Sequence, residues 1–264
     1  MADGAVADFR PLGRSAVAAL ANATHGNPFA VLGPHESEAG PIIRAFLPGA
    51  NAVEVLARAD RAPLGRLEAR DDSGLFEGAV RRAESYLLRI EWAGGVRETE
   101  DPYSFGLLLG DIDLHLFNEG RHFQLGETFG AQAMTVEGVA GVRFAVWAPG
   151  ARRVAVVGDF NAWDARRHPM RVRYPAGVWE LFVPRIGPGE RYKYDIIGPD
   201  GARLPQKADP VARQTEPPPA TASVVADPRP YRWHDADWMA TRGQRQAPNA
   251  PISDRKSTRL NSSH

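Results

Sequence analysis

The stretch VRFAVWAPGARRVAVVGDFNAW, residues 142–163, decides the fold class of this chain. Apolar residues recur at every second position from Val142 to Val146, which is the period of a β-strand with one buried face. A Pro-Gly turn and a second apolar run follow, and the stretch ends on a turn with two large aromatic residues, Phe160 and Trp163. The pattern predicts two strands followed by an aromatic turn.

The bulk composition is that of an ordinary globular chain, and it narrows the classes of function. The 264 residues are 43% hydrophobic and 24% charged, and 32 basic residues balance 32 acidic ones. Because no basic surplus is available to neutralise phosphates, we expect neither a nucleic acid nor a membrane as a partner. Cysteine is absent, and we find no bilayer-spanning run and no signal-like N-terminus, so we expect a cytoplasmic location.

The sequence contains an internal repeat. Residues 42–56 resemble residues 142–156, with a Pro-Gly turn at the same place in both. A Gly-led strand and a Tyr-led strand follow in each copy, and each copy closes on Asp-Pro, at Asp101 and at Asp209. The repeat predicts an all-β chain of two tandem immunoglobulin-like β-sandwiches. An Ala-rich segment predicts a short N-terminal helix near residues 13–23.

These patterns divide the chain into predicted segments that differ in composition. They are an N-terminal helical extension (1–24), a first β-sandwich (25–107), a packed connector (108–134), a second β-sandwich (135–228), a lead-in to a further domain (229–253) and a non-native tail (254–264). The connector is apolar enough that we expect it to pack between the sandwiches. The tail changes abruptly to a polar composition and resembles a translated sequencing adapter, so we exclude it from the fold.

Several motifs together resemble the N-terminal half of bacterial 1,4-alpha-glucan (glycogen) branching enzymes. For the first domain and connector they are NPFAVLGPH (27–35), RAFLPGA (44–50), GLFEG (74–78), DPYSFG (101–106) and GDIDLHLFNEGRH (110–122). Residues 141–170, 177–184, 192–196 and 218–225 resemble a family 48 carbohydrate-binding module. The resemblance implies a part in glycogen biosynthesis, with α-1,4-glucan or glycogen as the partner.

The resemblance also implies which part of the enzyme is missing. The family, glycosyltransferases of glycoside hydrolase family 13, moves an α-1,4-glucan segment to form an α-1,6 branch on a (β/α)8 barrel. Such a barrel takes about 250 residues, and it would begin after residue 253 as a further domain of the same chain. We therefore expect no catalytic residue, cofactor or metal in this chain, and no activity. Two alternatives are a stand-alone α-glucan-binding module and a fragment of a debranching-type hydrolase.

Trp163 is the first candidate for a carbohydrate-binding residue. A pyranose ring has an apolar C–H face, and a rigid surface aromatic covers that face at little entropic cost. The resemblance implies a sugar-stacking tryptophan at this position and a hydroxyl-binding lysine at Lys193. It implies polar sugar contacts at Thr221 and Ser223. Asn161 completes the candidate set, although turn asparagines more often bind their own backbone.

Other aromatic positions bear on the strength of the site. Trp147 and Trp179 lie within strands, so we expect both in the core. Binding modules of this class often have a second stacking aromatic in the loop after the lysine strand, where this chain has Arg203. One aromatic platform implies weak or vestigial binding.

Overall fold

The computed structural model describes residues 10–38, 40–229 and 232–251. The predicted tail, residues 254–264, lies outside the described residues, as does the end of the lead-in. Contacts divide the chain between Pro228 and Arg229 into two units, which are described separately. Both tandem β-domains belong to the first unit.

The first β-domain follows the helix α1 (Arg14–Ala21), which is the short N-terminal helix that the sequence predicts. Its strands are β1 (Gly33–Ser37), β2 (Gly40–Phe46), β3 (Ala50–Ala57), β4 (Pro63–Arg70), β5 (Leu75–Ala79), β6 (Tyr86–Trp92) and β7 (Gly95–Thr99). They form one antiparallel hydrogen-bonded network in the order β1-β2-β5-β4-β3-β6-β7. Inward side chains of β2 to β6 share one apolar cluster.

Strand β4 joins the two halves of this network. Its first part pairs with β3, through Val53 and Leu67 for example, and its last part pairs with β5, from Glu68 to Arg70. A strand that switches sheets is how a sandwich turns a corner. At this corner the backbones approach closely, since a Cβ at Gly65 would lie 2.7 Å from the Ala79 carbonyl oxygen.

The second β-domain is a sandwich of two four-stranded sheets. Its strands are β8 (Gly130–Val136), β9 (Val139–Trp147), β10 (Arg153–Gly158), β11 (Arg171–Arg173), β12 (Val178–Pro184), β13 (Arg191–Ile197), β14 (Gln214–Thr215) and β15 (Ser223–Val224). One sheet has the order β11-β12-β9-β8 and the other β10-β13-β15-β14. Phe144, Val156, Trp179 and Tyr194 come from both sheets and fill the core between them.

The core of the second domain continues into the first domain and α1. Val17 and Leu20 of α1, together with Phe46, Leu75 and Tyr103, belong to the same buried cluster as the inward side chains of the sandwich. Adjacent residues Phe46 and Ala45 thus face two different cores, as alternation along a strand requires. The two domains are therefore packed together rather than tethered.

The connector folds as α2 (Asp111–Asn118) and α3 (Leu125–Thr128). We expected it between the sandwiches, but Leu109, Leu114 and Phe129 instead cluster with Ala145 and Val178 on the outer face of β9 and β12. The backbone there is also held by polar groups, because the amide of Leu109 donates to Glu180 Oε2 at 2.8 Å.

The expectation that Trp147 lies in the core is wrong, whereas Trp179 is buried as expected. Trp147 shares the outer face of β9 with Ala145 and is 56% exposed, while Trp179 is 1% exposed. The Trp147 indole donates to the Ala176 carbonyl at 3.2 Å and meets the ring of Phe117 edge-on.

Each copy of the repeat ends on the same buried contact. In the first copy, the Tyr86 hydroxyl donates to Asp101 Oδ2 at 2.8 Å, and the other carboxylate oxygen accepts from the Tyr103 amide at 2.9 Å. In the second copy, Tyr192 donates to Asp209 Oδ2 at 2.7 Å, and Asp209 Oδ1 accepts from an amide two residues on, at 2.9 Å. The Asp-Pro ends noted in the sequence are thus equivalent closures.

The C-terminal unit contains the helix α4 (Ala236–Arg245). An acidic residue, Asp237, lies in its first turn and Arg242 and Arg245 in its last, which complements the helix dipole. Within the described ranges, no helix is both long and apolar enough to cross a membrane, and every strand pairing is antiparallel.

Burial makes Asp101 a source of pH-dependent stability. Loss of water around the carboxyl raises its pKa from 3.8 to about 6. Between those pH values the folded protein keeps a proton on Asp101 that the unfolded chain has released. The contribution of this protonated carboxyl to the free energy of unfolding is therefore complete below about pH 4 and is lost as pH rises through about 6. Relative to Asp101→Asn, the wild type should lose on the order of 2–3 kcal/mol of unfolding free energy between pH 4 and pH 7.

Urea denaturation of both proteins across this range measures the difference. Asp209→Asn is the matched comparison, because burial also raises the pKa of Asp209. A difference between wild type and Asp101→Asn that stays constant from pH 4 to pH 7 would contradict the prediction.

Candidate functional site

The candidate site lies on the outer face of β10 and β13. In this antiparallel pair Val157 is opposite Lys193, and Ala155 is opposite Asp195. Directly opposed residues share a sheet face, and the neighbouring Val154 and Val156 belong to the core. Lys193 and Asp195 therefore lie on the side of the sheet that faces away from the sandwich interior.

Trp163 covers part of this outer face. Its half-buried indole packs against Ala155, Val157 and Ala165. The ring comes from the turn directly after β10, where a short 3-10 helix (Asp159–Asn161) is followed by two residues in the left-handed region, Ala162 at φ 56° and Trp163 at φ 59°. That conformation is disfavoured for residues with a side chain, so the surrounding contacts have to hold it.

Asp159 fixes the indole from the exposed side. The Trp163 Nε1–H donates to Asp159 Oδ1 at 3.0 Å. Arg191 holds the same carboxylate through Nε at 2.7 Å and Nη2 at 3.1 Å, and these bonds lower the pKa of Asp159. Arg191 is in turn bonded to Glu216. The ring is therefore anchored at its edge by a charged network.

Asn161 fixes the turn from inside. Its Oδ1 accepts from the Gly158 amide at 2.9 Å, and its Nδ2 donates to the Val156 carbonyl at 3.0 Å and to His168 Nδ1 at 2.8 Å. Burial lowers the pKa of His168 to about 3, which keeps the imidazole neutral and able to accept this bond. We therefore correct the expectation that Asn161 contacts sugar, since its side chain is 4% exposed and fully engaged.

Gly158 is required by the close approach of two neighbours. A Cβ there would overlap the Arg191 carbonyl oxygen and the ring of Phe160. The glycine thus allows Phe160 to pack inward, stacked on Phe144 at a centroid distance of 6.0 Å, while Trp163 stays on the outer face.

Of the remaining candidates, Lys193 and Thr221 come together. Lys193 Nζ donates to Thr221 Oγ1 at 2.7 Å in an exposed position. Ser223 does not join them, because it is opposite Tyr192 in the sheet and so faces the core. Its side chain is 0% exposed and accepts from the Asp209 amide at 2.9 Å, which corrects the expectation that it contacts sugar.

The position that lacks a second aromatic holds an ion pair. Arg203 Nε lies 3.6 Å from Asp195 Oδ1, and the buried Arg153 Nη1 lies 3.2 Å from the same oxygen. Sequence reasoning missed Asp195, although it follows Lys193 by two residues on one strand and so shares its face.

The fold and this surface define a class: a pair of β-sandwich domains, the second of which carries a tryptophan and a lysine on one outer sheet face. Family comparison agrees. Residues 126–212 match the family described as Carbohydrate-binding module 48 (Isoamylase N-terminal domain). Residues 13–103 match the N-terminal domain of the alpha-1,4-glucan branching enzyme GlgB.

The particular proteins that the chain resembles are branching enzymes. It is 59% identical over 239 residues to the 1,4-alpha-glucan branching enzyme GlgB of Pseudomonas fluorescens, covering 90% of this chain and 32% of that protein. It is 58% identical over 238 residues to GlgB 1 of Xanthomonas euvesicatoria, with the same coverage. The chain thus corresponds to the N-terminal region of GlgB branching enzymes and spans about a third of their length.

Among solved structures, a pullulanase of Anoxybacillus sp. LM18-11 complexed with maltotetraose matches over 73% of this chain and 27% of its own. The identity is 16% and the TM-score 0.33. In the part of the chain that the structure describes, no cluster of three or more His, Asp or Glu side chains is arranged to hold a metal ion.

Asn161→Ala should destabilise the fold by on the order of 2 kcal/mol, because it leaves buried backbone groups of Gly158 and Val156 without partners. Lys193→Ala is the control, since its bond to Thr221 is exposed, and it should change stability by less than about 0.5 kcal/mol. Chemical denaturation measures both. Equal, small effects would mean that the turn does not depend on the Asn161 amide.

Proposed function

We propose that the outer face of β10 and β13 binds α-1,4-glucan. In this proposal Trp163 stacks on the apolar face of a glucosyl ring, and Lys193 and Thr221 hydrogen-bond its hydroxyl groups. The observation that carries it is the fixed indole of Trp163 on the same sheet face as the exposed Lys193–Thr221 pair. The match of residues 126–212 to a carbohydrate-binding family supports the choice of ligand.

The proposed binding is weak. One stacked aromatic contributes on the order of 1–3 kcal/mol, taking base–aromatic stacking as an analogue. Exposed hydrogen bonds to hydroxyls add little, because each replaces one to water. We expect a binding free energy of about −4 to −5 kcal/mol, which corresponds to a dissociation constant between roughly millimolar and high micromolar.

We further propose that the chain is the glucan-positioning, N-terminal part of a 1,4-alpha-glucan branching enzyme of glycogen biosynthesis. In that protein the catalytic domain of the same chain would transfer the segment that this surface holds. The identity of 59% to a named branching enzyme favours this over a debranching hydrolase. The chain spans about a third of the length of the branching enzymes that it matches, and we expect this chain alone to form no branches. The cytoplasmic location stays a prediction.

Trp163→Ala should weaken binding of maltoheptaose about ten- to a hundredfold, since the stacking platform is removed. The fold should survive, because the indole lies on the outer face of the sheet and not in the sandwich core. Isothermal titration calorimetry with maltoheptaose measures the loss, and thermal denaturation verifies the fold.

Trp147→Ala is the matched control, because this tryptophan also lies on an outer sheet face, where it is 56% exposed, but in the other sheet of the sandwich. It should bind maltoheptaose as the wild type does. If Trp163→Ala binds as well as the Trp147 variant, the sugar site lies elsewhere.

A further inference from the structure

A cavity of about 190 Å³ lies at the junction of the two β-domains. One wall is a face of the hairpin of β6 and β7, where Ile90 is opposite Arg97 and both line the cavity. The second domain supplies the other wall, which includes Phe160, His168 and Val183. Because an apolar cavity of about 150 Å³ can hold a benzene molecule, this one has room for a small ligand with one ring.

The walls of the cavity are largely apolar. The apolar side chains that line it include Phe46, Leu88, Ile90, Trp92, Phe160 and Val183. The guanidinium of Arg167 lies over the ring of Trp92, with its Cζ 5.1 Å from the ring centroid, and Arg167 Nη2 donates to the Pro48 carbonyl at 2.9 Å. The walls therefore suit the apolar body of a ligand, and Arg167 is fixed beside them.

His168 presents a hydrogen-bond donor to this cavity. Its Nδ1 accepts from Asn161 Nδ2 at 2.8 Å, so the proton of the neutral imidazole is on Nε2. Among the described residues, no group accepts from this Nε2–H. In the same part of the chain, the buried side-chain polar atoms without a partner are Nε of Arg143 and Nε of Arg167, so His168 Nε2 is not sealed off from the cavity.

Two arginines with incompletely neutralised charge flank this donor. Arg97 is exposed, lines the cavity and has no acidic side chain within ion-pair distance among the described residues. Arg167 has its Nε 3.7 Å from Asp164, but Arg166 Nη2 binds the same carboxylate oxygen at 2.7 Å. After burial, the charges of Arg167 and Arg97 are the main causes that lower the pKa of His168, so both act at this position.

The acidic residues that line the cavity are already engaged. Both oxygens of Glu100 accept from Arg185, at 2.7 and 2.8 Å. The oxygens of Asp101 accept from the Tyr86 hydroxyl and the Tyr103 amide. With Asp164 and Arg166 counted as a neutral pair, the guanidinium groups of Arg97, Arg167 and Arg185 face two carboxylates. The cavity thus combines apolar walls, a free donor and an excess of positive charge.

We propose that this cavity binds a small organic carboxylate with an apolar body, of the arylacetate class. A carboxylate oxygen accepts from the Nε2–H of His168, and Arg97 and Arg167 supply the opposing charge. The ring of the ligand packs on Leu88, Ile90 and Trp92. This inference does not rest on the proposed sugar binding, because Trp163 lies on the outer face of β10 and does not line the cavity.

Isothermal titration calorimetry of the whole chain tests the chemistry of the ligand with three probes. Phenylacetate has the ring and the charge, phenylacetamide has the ring without the charge, and inorganic phosphate has charge without a ring. Phenylacetate should bind about tenfold more tightly than either of the others, because a charge-assisted hydrogen bond is stronger than a neutral one and the ring adds apolar burial.

Variants of the cavity walls test the location. Arg97→Ala should weaken phenylacetate binding about tenfold, whereas Arg97→Lys retains the charge and should stay closer to the wild type. Thr99→Trp should abolish binding, since Thr99 is opposite Leu88 and a large side chain there fills the cavity. Arg66→Ala is the matched control, because Arg66 is an exposed arginine of the same domain outside the lining. Thermal denaturation verifies the fold of each variant.

The outcomes decide both the ligand class and the site. Absence of phenylacetate binding at millimolar concentrations would overturn the proposal, as would equal affinity for phenylacetamide or for phosphate. Wild-type binding by both Arg97→Ala and Thr99→Trp would place the carboxylate elsewhere and overturn it as well. Trp163→Ala should bind phenylacetate as the wild type does, so failure of the sugar site and failure of this site are distinguishable.

Discussion

The buried Asp101 carboxylate, which accepts from the Tyr86 hydroxyl, holds the residue through which the first β-domain contacts the segment beside the candidate site. Asp101 also binds the amide of Tyr103, and this fixes the direction in which the chain leaves the first domain. The Tyr103 hydroxyl then donates to the Pro169 carbonyl at 3.2 Å in the segment that follows Trp163. Since Arg167 of that segment also reaches back to the Pro48 carbonyl, the first domain braces the aromatic turn of the second.

The two copies of the fold differ in what they add to the shared structure. Both copies retain the buried tyrosine–carboxylate closure. Only the second copy has the aromatic turn after its second strand, and only there does the outer face also carry an exposed lysine. The first copy contributes buried side chains such as Phe46 and Leu75 to the shared core instead. The proposed binding surface thus lies on the second copy alone, and the first copy packs against it.

The all-β class, the tandem repeat and the aromatic turn could all be predicted from the sequence, because period-two patterns and turn residues act over short distances. The placement of Trp163 on a turn could be predicted for the same reason. Asn161 was ambiguous, since an amide suits both a sugar and a backbone turn, and only the fold brings His168 against it. The burial of the Ser223 side chain depends on its register with Tyr192, a residue far away in sequence. The exposure of Trp147 depends on which face of the sheet the connector covers.

The corner strand β4 has a consequence for how the first domain comes apart. Its pairs with β3 and its pairs with β5 follow one another along one continuous run of backbone, so loss of order in β4 would weaken both halves of the network. Local opening is confined to segments with few such shared bonds. We therefore expect the first domain to unfold as a single cooperative block, with partial unfolding beginning at its outermost strands, β1 and β7.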